Sequence, residues 1–316
     1  MNTIKKIFLL TEAGGNLGFG HLIRSYSFCE KLQILENTFP VIKFHGHKEQ
    51  IVALDLFSNQ ITFIKNEKDL EPIYDSILIV DAYTIDIDYL NSLNKFNNRL
   101  IFIADVHEKV PDCEVLINHL PWVNKNLYSG AKVKQFLLGP DYAILRKIFM
   151  KEPTKSKGRF LIYLGSSIVK EEIIKIYKAL KSINVPDSLI DIVYNNQIKE
   201  IPFTVLKDLN SEQMFKLICN SEYTFITPGN ISYEVFSVKR NCIMGSVSES
   251  QKSPLLEFQK LNLCVSVGEW SKIDSLKIDK CMEKSKQTVN HQKKYFINLK
   301  KKLFQKELNK SLQKWI

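Results

Sequence analysis

The sequence lacks most of the features that would classify it at a glance. No apolar run approaches the roughly 20 residues needed to cross a bilayer. The opening "MNTIKKIFLLTEAGG" has two lysines and then only four strongly apolar residues, short of the roughly 7–15 of a secretory signal core, so it is read as a first strand. No Cys-x-x-Cys occurs. The six cysteines (Cys29, Cys113, Cys219, Cys242, Cys264 and Cys281) are scattered and mostly in apolar surroundings, which predicts free, reduced thiols in a cytoplasmic protein. That spacing argues against a structural zinc site. There is no Gly-Lys-Ser/Thr after a glycine loop, no complete G-x-G-x-x-G and no G-x-S-x-G, so P-loop, standard dinucleotide and nucleophile-elbow chemistries are set aside. No metal-ligand cluster, internal repeat or low-complexity segment appears, and neither a metal nor another cofactor is expected.

What is present is a chain of 316 residues, 45% hydrophobic and 25% charged, the composition of a soluble globular protein with two domains of ordinary size. The net charge of +10 would suit nucleic acid, a membrane surface or an anionic small molecule. Much of the excess lies in the last 40 residues, so it says little about an active site. Basic residues are not interleaved with an aromatic platform, which argues against nucleic acid.

Strand-like apolar runs alternate with helical patterns throughout. Strands are expected at 5–12, 41–46, 76–83, 99–105, 114–118 and 134–139 and, after a polar linker at 150–159, at 160–165, 190–194, 203–206, 223–228, 241–245 and 263–268. Helical spacing covers 170–183, 211–220 and 253–262, with Ser211 and Ser253 as N-caps. Nearly continuous apolar strands between helices mean parallel sheets covered on both faces. The expected class is therefore α/β, with two facing Rossmann-like domains at 1–150 and 151–285 and a basic amphipathic C-terminal helix at 286–316. Phe296, Leu299, Leu303, Leu308, Leu312 and Trp315 share one face of that tail, which either packs across the domains or touches anionic lipid or a partner.

In open parallel sheets ligands bind beyond the carboxyl ends of the strands, so chemistry is sought there. "GGNLGFGHLIR" follows the first strand. Gly18 and Gly20 allow tight turns and close approach of a ligand. His21 falls in the first turn of the next helix, where free amides and the dipole favour a neutral imidazole able to take a proton from water. A cap or a packed side chain would look the same. Arg24, one turn on, could meet an anion or a carboxylate. "IVDAYTIDIDYL" places Asp81 and Tyr83 after a central strand; alternatively Asp81 satisfies loop amides and Tyr83 packs. Asp86-Ile87-Asp88 imitates a D-x-D metal motif, but Asp86 reads as an N-cap and Asp88 as a first-turn acid. "IADVHEKV" offers Asp105, with His107 on the loop surface; Asn118 and His119 are secondary candidates. In "FITPGNISYEVF" the turn and helix start at Gly229, Asn230, Ile231 and Ser232 form an anion site, and Glu234 either accepts ribose hydroxyls or caps the helix. Gly165 and Ser166 in "YLGSS" make a second phosphate-type turn.

The segments "GFGHLIR", "DAYTID", "LLGPDYAILRKIF" and "PGNISYE", in order over about residues 5–265, resemble the UDP-2,4-diacetamido-2,4,6-trideoxy-sugar hydrolase family of pseudaminic acid biosynthesis. That family is related to glycosyltransferases of the GT-B type, with two facing Rossmann-like domains. The resemblance implies metal-independent, inverting attack of water on the anomeric carbon with release of UDP. It makes His21 the catalytic histidine and Tyr83 the active-site tyrosine. The nucleotide falls on Gly229 to Glu234, with Gln251 as the counterpart of a further polar loop residue. The chain departs from the family at Gly165-Ser166-Ser167-Ile168, where Gly-Gly-x-Asp is usual, and at the valine after Asp105. The expected enzyme is thus a cytoplasmic, monomeric UDP-sugar hydrolase. The alternatives are an inverting GT-B glycosyltransferase of surface polysaccharide synthesis, which the basic tail favours, and a non-catalytic sugar-nucleotide-binding protein.

Overall fold

The computed structural model describes residues 6–46, 57, 59–105, 109–165, 169–296 and 308. The chain divides into two compact units, Met1–Lys147 with Asn298–Ile316, and Ile148–Ile297.

The first unit is built on a seven-stranded parallel sheet of β1 (Ile7–Gly14), β2 (Thr38–His45), β3 (Thr62–Ile64), β4 (Ile77–Asp81), β5 (Arg99–Ile103), β6 (Cys113–Asn118) and β7 (Val133–Leu138), in the order β3-β2-β1-β4-β5-β6-β7. Side chains alternate across a strand, and the parity is clean. Ile7, Leu9, Ile77, Ile79, Ile101, Ile103, Val115 and Ile117 form one core with Phe28 and Leu32 of α1 (Gly20–Leu32). Leu10, Leu78, Val80, Leu100, Phe102 and Leu116 form the opposite core with Leu90 and Leu93 of α2 (Ile87–Leu93). Because both faces are covered, these strands read as continuous apolar runs. The chain leaves β1 outward through β2 and β3, then returns to β1's other side for β4. The β1/β4 boundary is therefore a topological switch point, the place where open α/β sheets take ligands beyond the strands' carboxyl ends.

The second unit carries a five-stranded parallel sheet of β8 (Arg159–Tyr163), β9 (Ile190–Ile192), β10 (Ser221–Ile226), β11 (Asn241–Ser246) and β12 (Val265–Glu269), ordered β12-β11-β10-β8-β9. Its switch point lies between β8 and β10. The helices are α3 (Lys170–Ser182), α4 (Ser211–Asn220), α5 (Asn230–Val238), α6 (Lys252–Lys260), α7 (Ser275–Ser285) and α8 (Thr288–Phe296). Ile173, Ile176 and Leu180 of α3 pack with Ile162, Phe225, Ile243 and Trp270. Tyr233 and Phe236 of α5 meet Phe258 of α6 edge to face, at 5.7 and 5.4 Å between centroids.

Several local expectations are corrected. Residues 203–206 form no strand: Leu206 makes an isolated bridge to Val193, while the Gln197 side chain donates to Phe203 O (3.0 Å) and accepts from Val205 N (3.1 Å), taking up groups a ladder would need. α4 is capped by Asn210 rather than Ser211, because Asn210 and Gln213 exchange side-chain-to-backbone bonds of 2.9 Å in a capping box. Ser253 lies inside α6, since the turn Glu249–Gln251 runs straight into that helix. Asp86 does cap α2, accepting from Tyr89 N at 2.9 Å. All six cysteines are free and buried.

The tail is not described as one helix. α8 belongs to the second unit, where Gln292 donates to Arg240 O (3.1 Å) and Leu263 O (2.9 Å). Leu308 is fully buried in the first unit's core beside Ile7 and Phe28. Leu299, Leu303, Leu312 and Trp315 lie outside the described residues. Among the described residues no helix is long and apolar enough to cross a membrane.

Candidate functional site

At the first unit's switch point the chain assembles a buried polar cluster. Thr11 on β1 and Asp81 on β4 are in register, and the Thr11 hydroxyl donates to Asp81 O at 3.1 Å. β1 ends at Gly14 with φ 95°, and a Cβ there would stand 2.1 Å from His45 O. Only glycine lets the ends of β1 and β2 come this close, and Gly14 N donates to Gly18 O at 2.8 Å to close the loop. α1 consequently starts at Gly20, at the carboxyl end of the sheet, with His21 as its second residue.

Asp81 is the hub. Its side chain is fully buried. Its Oδ1 accepts His21 Nδ1–H at 2.7 Å and Arg24 Nη2, and its Oδ2 accepts Arg24 Nε–H at 2.8 Å and the Ser25 hydroxyl at 3.0 Å. Burial alone would raise its pKa, but the adjacent Arg24 guanidinium and His21 overcome that and hold the carboxyl well below the usual range. An ionised Asp81 requires a proton on His21 Nδ1, so in the neutral imidazole it is Nε2 that carries the lone pair. Arg24 Nη2 also comes within 3.2 Å of Nδ1; both are donors, so this closeness follows from sharing Asp81.

Arg24, itself 2% exposed, extends to Asp105, whose other oxygen accepts the Tyr83 hydroxyl. The Tyr83 ring stands edge-on to the His21 imidazole at 4.3 Å and 87°. Tyr83 is 47% exposed overall, and its hydroxyl is held on Asp105. Desolvation by the surrounding protein pushes the phenol up to about 12, with Arg24 opposing and Asp81 and Glu12 adding. The structure thus gathers five residues singled out in the sequence: His21, Arg24, Asp81, Tyr83 and Asp105. Arg24 meets carboxylates. Asp81 is enclosed by protein donors and faces no open space; both oxygens of Asp105 accept from Arg24 and Tyr83. Gly18 and Gly20 shape the loop and the helix start.

Four members of the cluster were missed: Glu12, Ser25, His45 and Thr84. Glu12 is fully buried and accepts from Tyr83 N (2.6 Å), Thr84 N (3.2 Å) and the Thr84 hydroxyl (2.7 Å). Its carboxylate lies 3.9 Å from both His21 Nε2 and His45 Nε2. The available signal was a lone acid in an apolar strand. Lys43, nearly buried on β2, donates to Thr84 O at 2.6 Å and fixes the same turn from the other side. His119 is buried beside Arg24 and Asp81; burial drives its pKa down to about 3, Arg24 adding, so it is neutral. His107 and Ser166 lie outside the described residues.

The second unit carries a separate group at its own switch point. Gly165 follows β8 with φ 88°, and Gly229 follows β10; among the described residues, chain neighbours apart, no atom lies within 4 Å of where a Cβ would stand on either. Thr227 Oγ1 donates to Leu164 O at 3.3 Å, joining the two loops. Ser232 faces inward: its hydroxyl accepts from Gly229 N (3.2 Å) and donates to Thr227 O (3.4 Å), and its amide donates to Gly229 O (3.0 Å). Ser232 is therefore spent on capping, and the half-buried Asn230 and Ile231 head the first turn of α5. Glu234 is almost buried one turn in. Gln251 Oε1 accepts from Val247 N at 2.9 Å and closes the loop after β11. Among the described residues no cluster of three or more His, Cys, Asp or Glu could hold a metal ion.

The chain matches no family model and no curated protein. It is similar to solved structures along its whole length. CalG4, the calicheamicin glycosyltransferase, aligns with TM-score 0.64 at 8% identity, covering 99% of this chain and 98% of that one. The spinosyn rhamnosyltransferase SpnG aligns at 0.62 and 10% identity over 98% and 100%. Phytolacca americana UGT2, solved with UDP-2-fluoro-glucose and pterostilbene, aligns at 0.62 and 10% identity over all of both chains. The fold is that of the GT-B glycosyltransferases. SpnG has also been solved with thymidine diphosphate, aligning at 0.60 over 93% of this chain.

Proposed function

We propose that this protein is a sugar-nucleotide-utilising enzyme of the glycosyltransferase type, with His21 as general base. The observation that carries the reading is the His21 Nδ1–Asp81 bond of 2.7 Å. It fixes the tautomer with Nε2 basic, on a helix start at the carboxyl end of a switch-point strand. The acceptor O–H gives its proton to Nε2 as its oxygen bonds the anomeric carbon. The anomeric C–O bond to the diphosphate breaks, and its electron pair leaves on the phosphate oxygen. Attack opposite the leaving group inverts the anomeric centre. The turns at Gly165 and Gly229 and the start of α5 are the natural cradle for the diphosphate. Glu234 is the candidate for the ribose hydroxyls, and Tyr83 orients the attacking oxygen or the sugar. The glycosyltransferases to which the fold is similar favour a hydroxyl acceptor on another molecule.

A second reading takes water as the acceptor, making the chain a UDP-sugar hydrolase. Its support is the residue pattern itself: "GFGHLIR", Asp81 with Tyr83, and "GPDYAILRKIF" resemble the UDP-2,4-diacetamido-sugar hydrolases, whose catalytic histidine and tyrosine correspond to His21 and Tyr83.

A release assay decides between them. The protein is given UDP- and dTDP-sugars, including UDP-2,4-diacetamido-trideoxy sugars, with and without sugar acceptors, and free nucleoside diphosphate is followed. Release that requires an acceptor supports transfer; equal release in buffer supports hydrolysis. In either case His21→Ala should lower the rate by about 10²–10⁴. Binding of sugar nucleotides without turnover would overturn the enzymatic reading.

A further inference from the structure

Glu12 is placed as more than a clamp on the Tyr83 turn. We infer that it is a positioning residue for His21, a second buried carboxylate that stabilises the imidazolium formed when Nε2 takes the acceptor's proton. This rests on His21 being the base. Asp81 occupies one side of the ring, 2.7 Å from Nδ1; Glu12 Oε1 lies 3.9 Å from Nε2 on the other. Glu12 is fully buried, and three donors from Tyr83 and Thr84 hold both its oxygens, so the carboxylate cannot swing away. Every one of those partners is a donor, which suits an ionised, acceptor-only group. When the proton passes from the acceptor oxygen to Nε2, the new positive charge appears between two fixed negative ones. The separation from Glu12 leaves Nε2 unbonded by it in the resting state, so the lone pair stays available.

The charged and titratable groups around the ring come from every neighbouring element. Asp81 ends β4 and Tyr83 follows it, Glu12 is on β1, and Arg24 is one turn along α1. Asp105 stands behind Arg24 and Tyr83, His45 behind Glu12 at 3.9 Å, and neutral His119 near Arg24 and Asp81. Among these Glu12 is the carboxylate nearest Nε2.

The test reads the imidazole directly. Histidine-labelled full-length protein is titrated by NMR, the His21 signal being assigned by its loss in His21→Gln. Two charges about 4 Å apart, under effective dielectric constants from protein surface to water, shift a titration by about one to three pH units. Glu12→Gln should therefore lower the His21 midpoint by that amount, move the acid limb of the rate profile the same way, and lower kcat about tenfold or more with KM unchanged. Thr84→Val removes a hydrogen bond to Glu12 but keeps its charge, and should leave the midpoint in place. Glu12→Asp, with the charge withdrawn by one methylene, should give a smaller drop and serves if the glutamine variant does not fold. An unmoved midpoint in Glu12→Gln, or equal shifts in Glu12→Gln and Thr84→Val, overturns the inference and leaves a structural clamp. A lowered midpoint in a protein that cleaves no sugar nucleotide supports the coupling and refutes the role of His21 as base.

Discussion

Asp81→Asn is the most informative perturbation of the cluster. The residue is fully buried, and so is Arg24, so solvent screens little of their attraction. Replacing the carboxylate leaves the guanidinium buried without its main partner and places an amide N–H₂ against the donors of Arg24, His21 or Ser25. Breaking a buried pair by removing one partner costs about 3–5 kcal/mol. Arg24 keeps Asp105, so about 3 kcal/mol is expected, roughly a hundredfold in the folded-to-unfolded ratio. For a unit of this size that is a fall in Tm of about 6–12 °C. Because the chain has two units, hydrogen exchange at β1 and β4 amides is the proper readout, since it follows the first unit alone. Asp191→Asn, which breaks a part-exposed pair with Arg159 in the second unit, is the control and should cost about 1 kcal/mol or less. The pH dependence gives a second check. The folded pKa of Asp81 is depressed, so its stabilisation is complete above the unfolded value of about 3.9 and is lost as pH falls below it. The gap between wild type and variant should therefore close in strong acid. Activity should fall on the order of 10³–10⁴, as when a histidine base loses the carboxylate that sets its tautomer. A cost below about 1 kcal/mol at neutral pH would refute the account of Asp81 as hub.

Two further outcomes follow from the same geometry. Gly14→Ala must accommodate a Cβ 2.1 Å from His45 O at φ 95°; it should destabilise the first unit by more than about 2 kcal/mol, whereas Gly139→Ala, at φ 98° in open space, should show only the left-handed penalty of about 1–2 kcal/mol. Denaturant titrations of the two variants compare them. His119 is held neutral with a pKa near 3 against about 6.5 unfolded, so the unfolded chain binds the extra proton between those values and stability falls as pH drops through that window. His119→Gln should remove up to about 1.4 kcal/mol of that loss per pH unit between about pH 6 and 5, above the range in which Asp81 begins to lose its contribution. Equal acid sensitivity in the two proteins would show that His119 is not buried neutral.

Much of the architecture was legible because parallel strands buried on both faces leave an unbroken apolar signature. The central strands and the helices at 170–182 and 211–220 stand where the pattern put them. The short edge strand Thr62–Ile64 escaped because three residues carry no usable period. Residues 203–206 misled because Phe-Thr-Val-Leu has strand propensity, yet a glutamine side chain took its hydrogen bonds. In the site, His21, Arg24, Asp81, Tyr83 and Asp105 were visible because each follows a strand or starts a helix. Glu12 was not, because it lies within the strand and its meaning depends on which residues face it from 71 and 72 positions away.

The sequence by itself determined the class of fold, the switch-point loops and the residue types available there, since these depend on local periodicity and on glycine at strand ends. Only the tertiary structure decided their roles. It turned Asp81 from a strand-end candidate into the buried anchor of His21, committed Ser232 to capping α5, placed Leu308 in the core of the first unit, and set Glu12 against the Nε2 side of the imidazole. Those outcomes rest on distances and burial among residues far apart in the chain, where a shift of one or two ångströms separates an ion pair from an open ligand site.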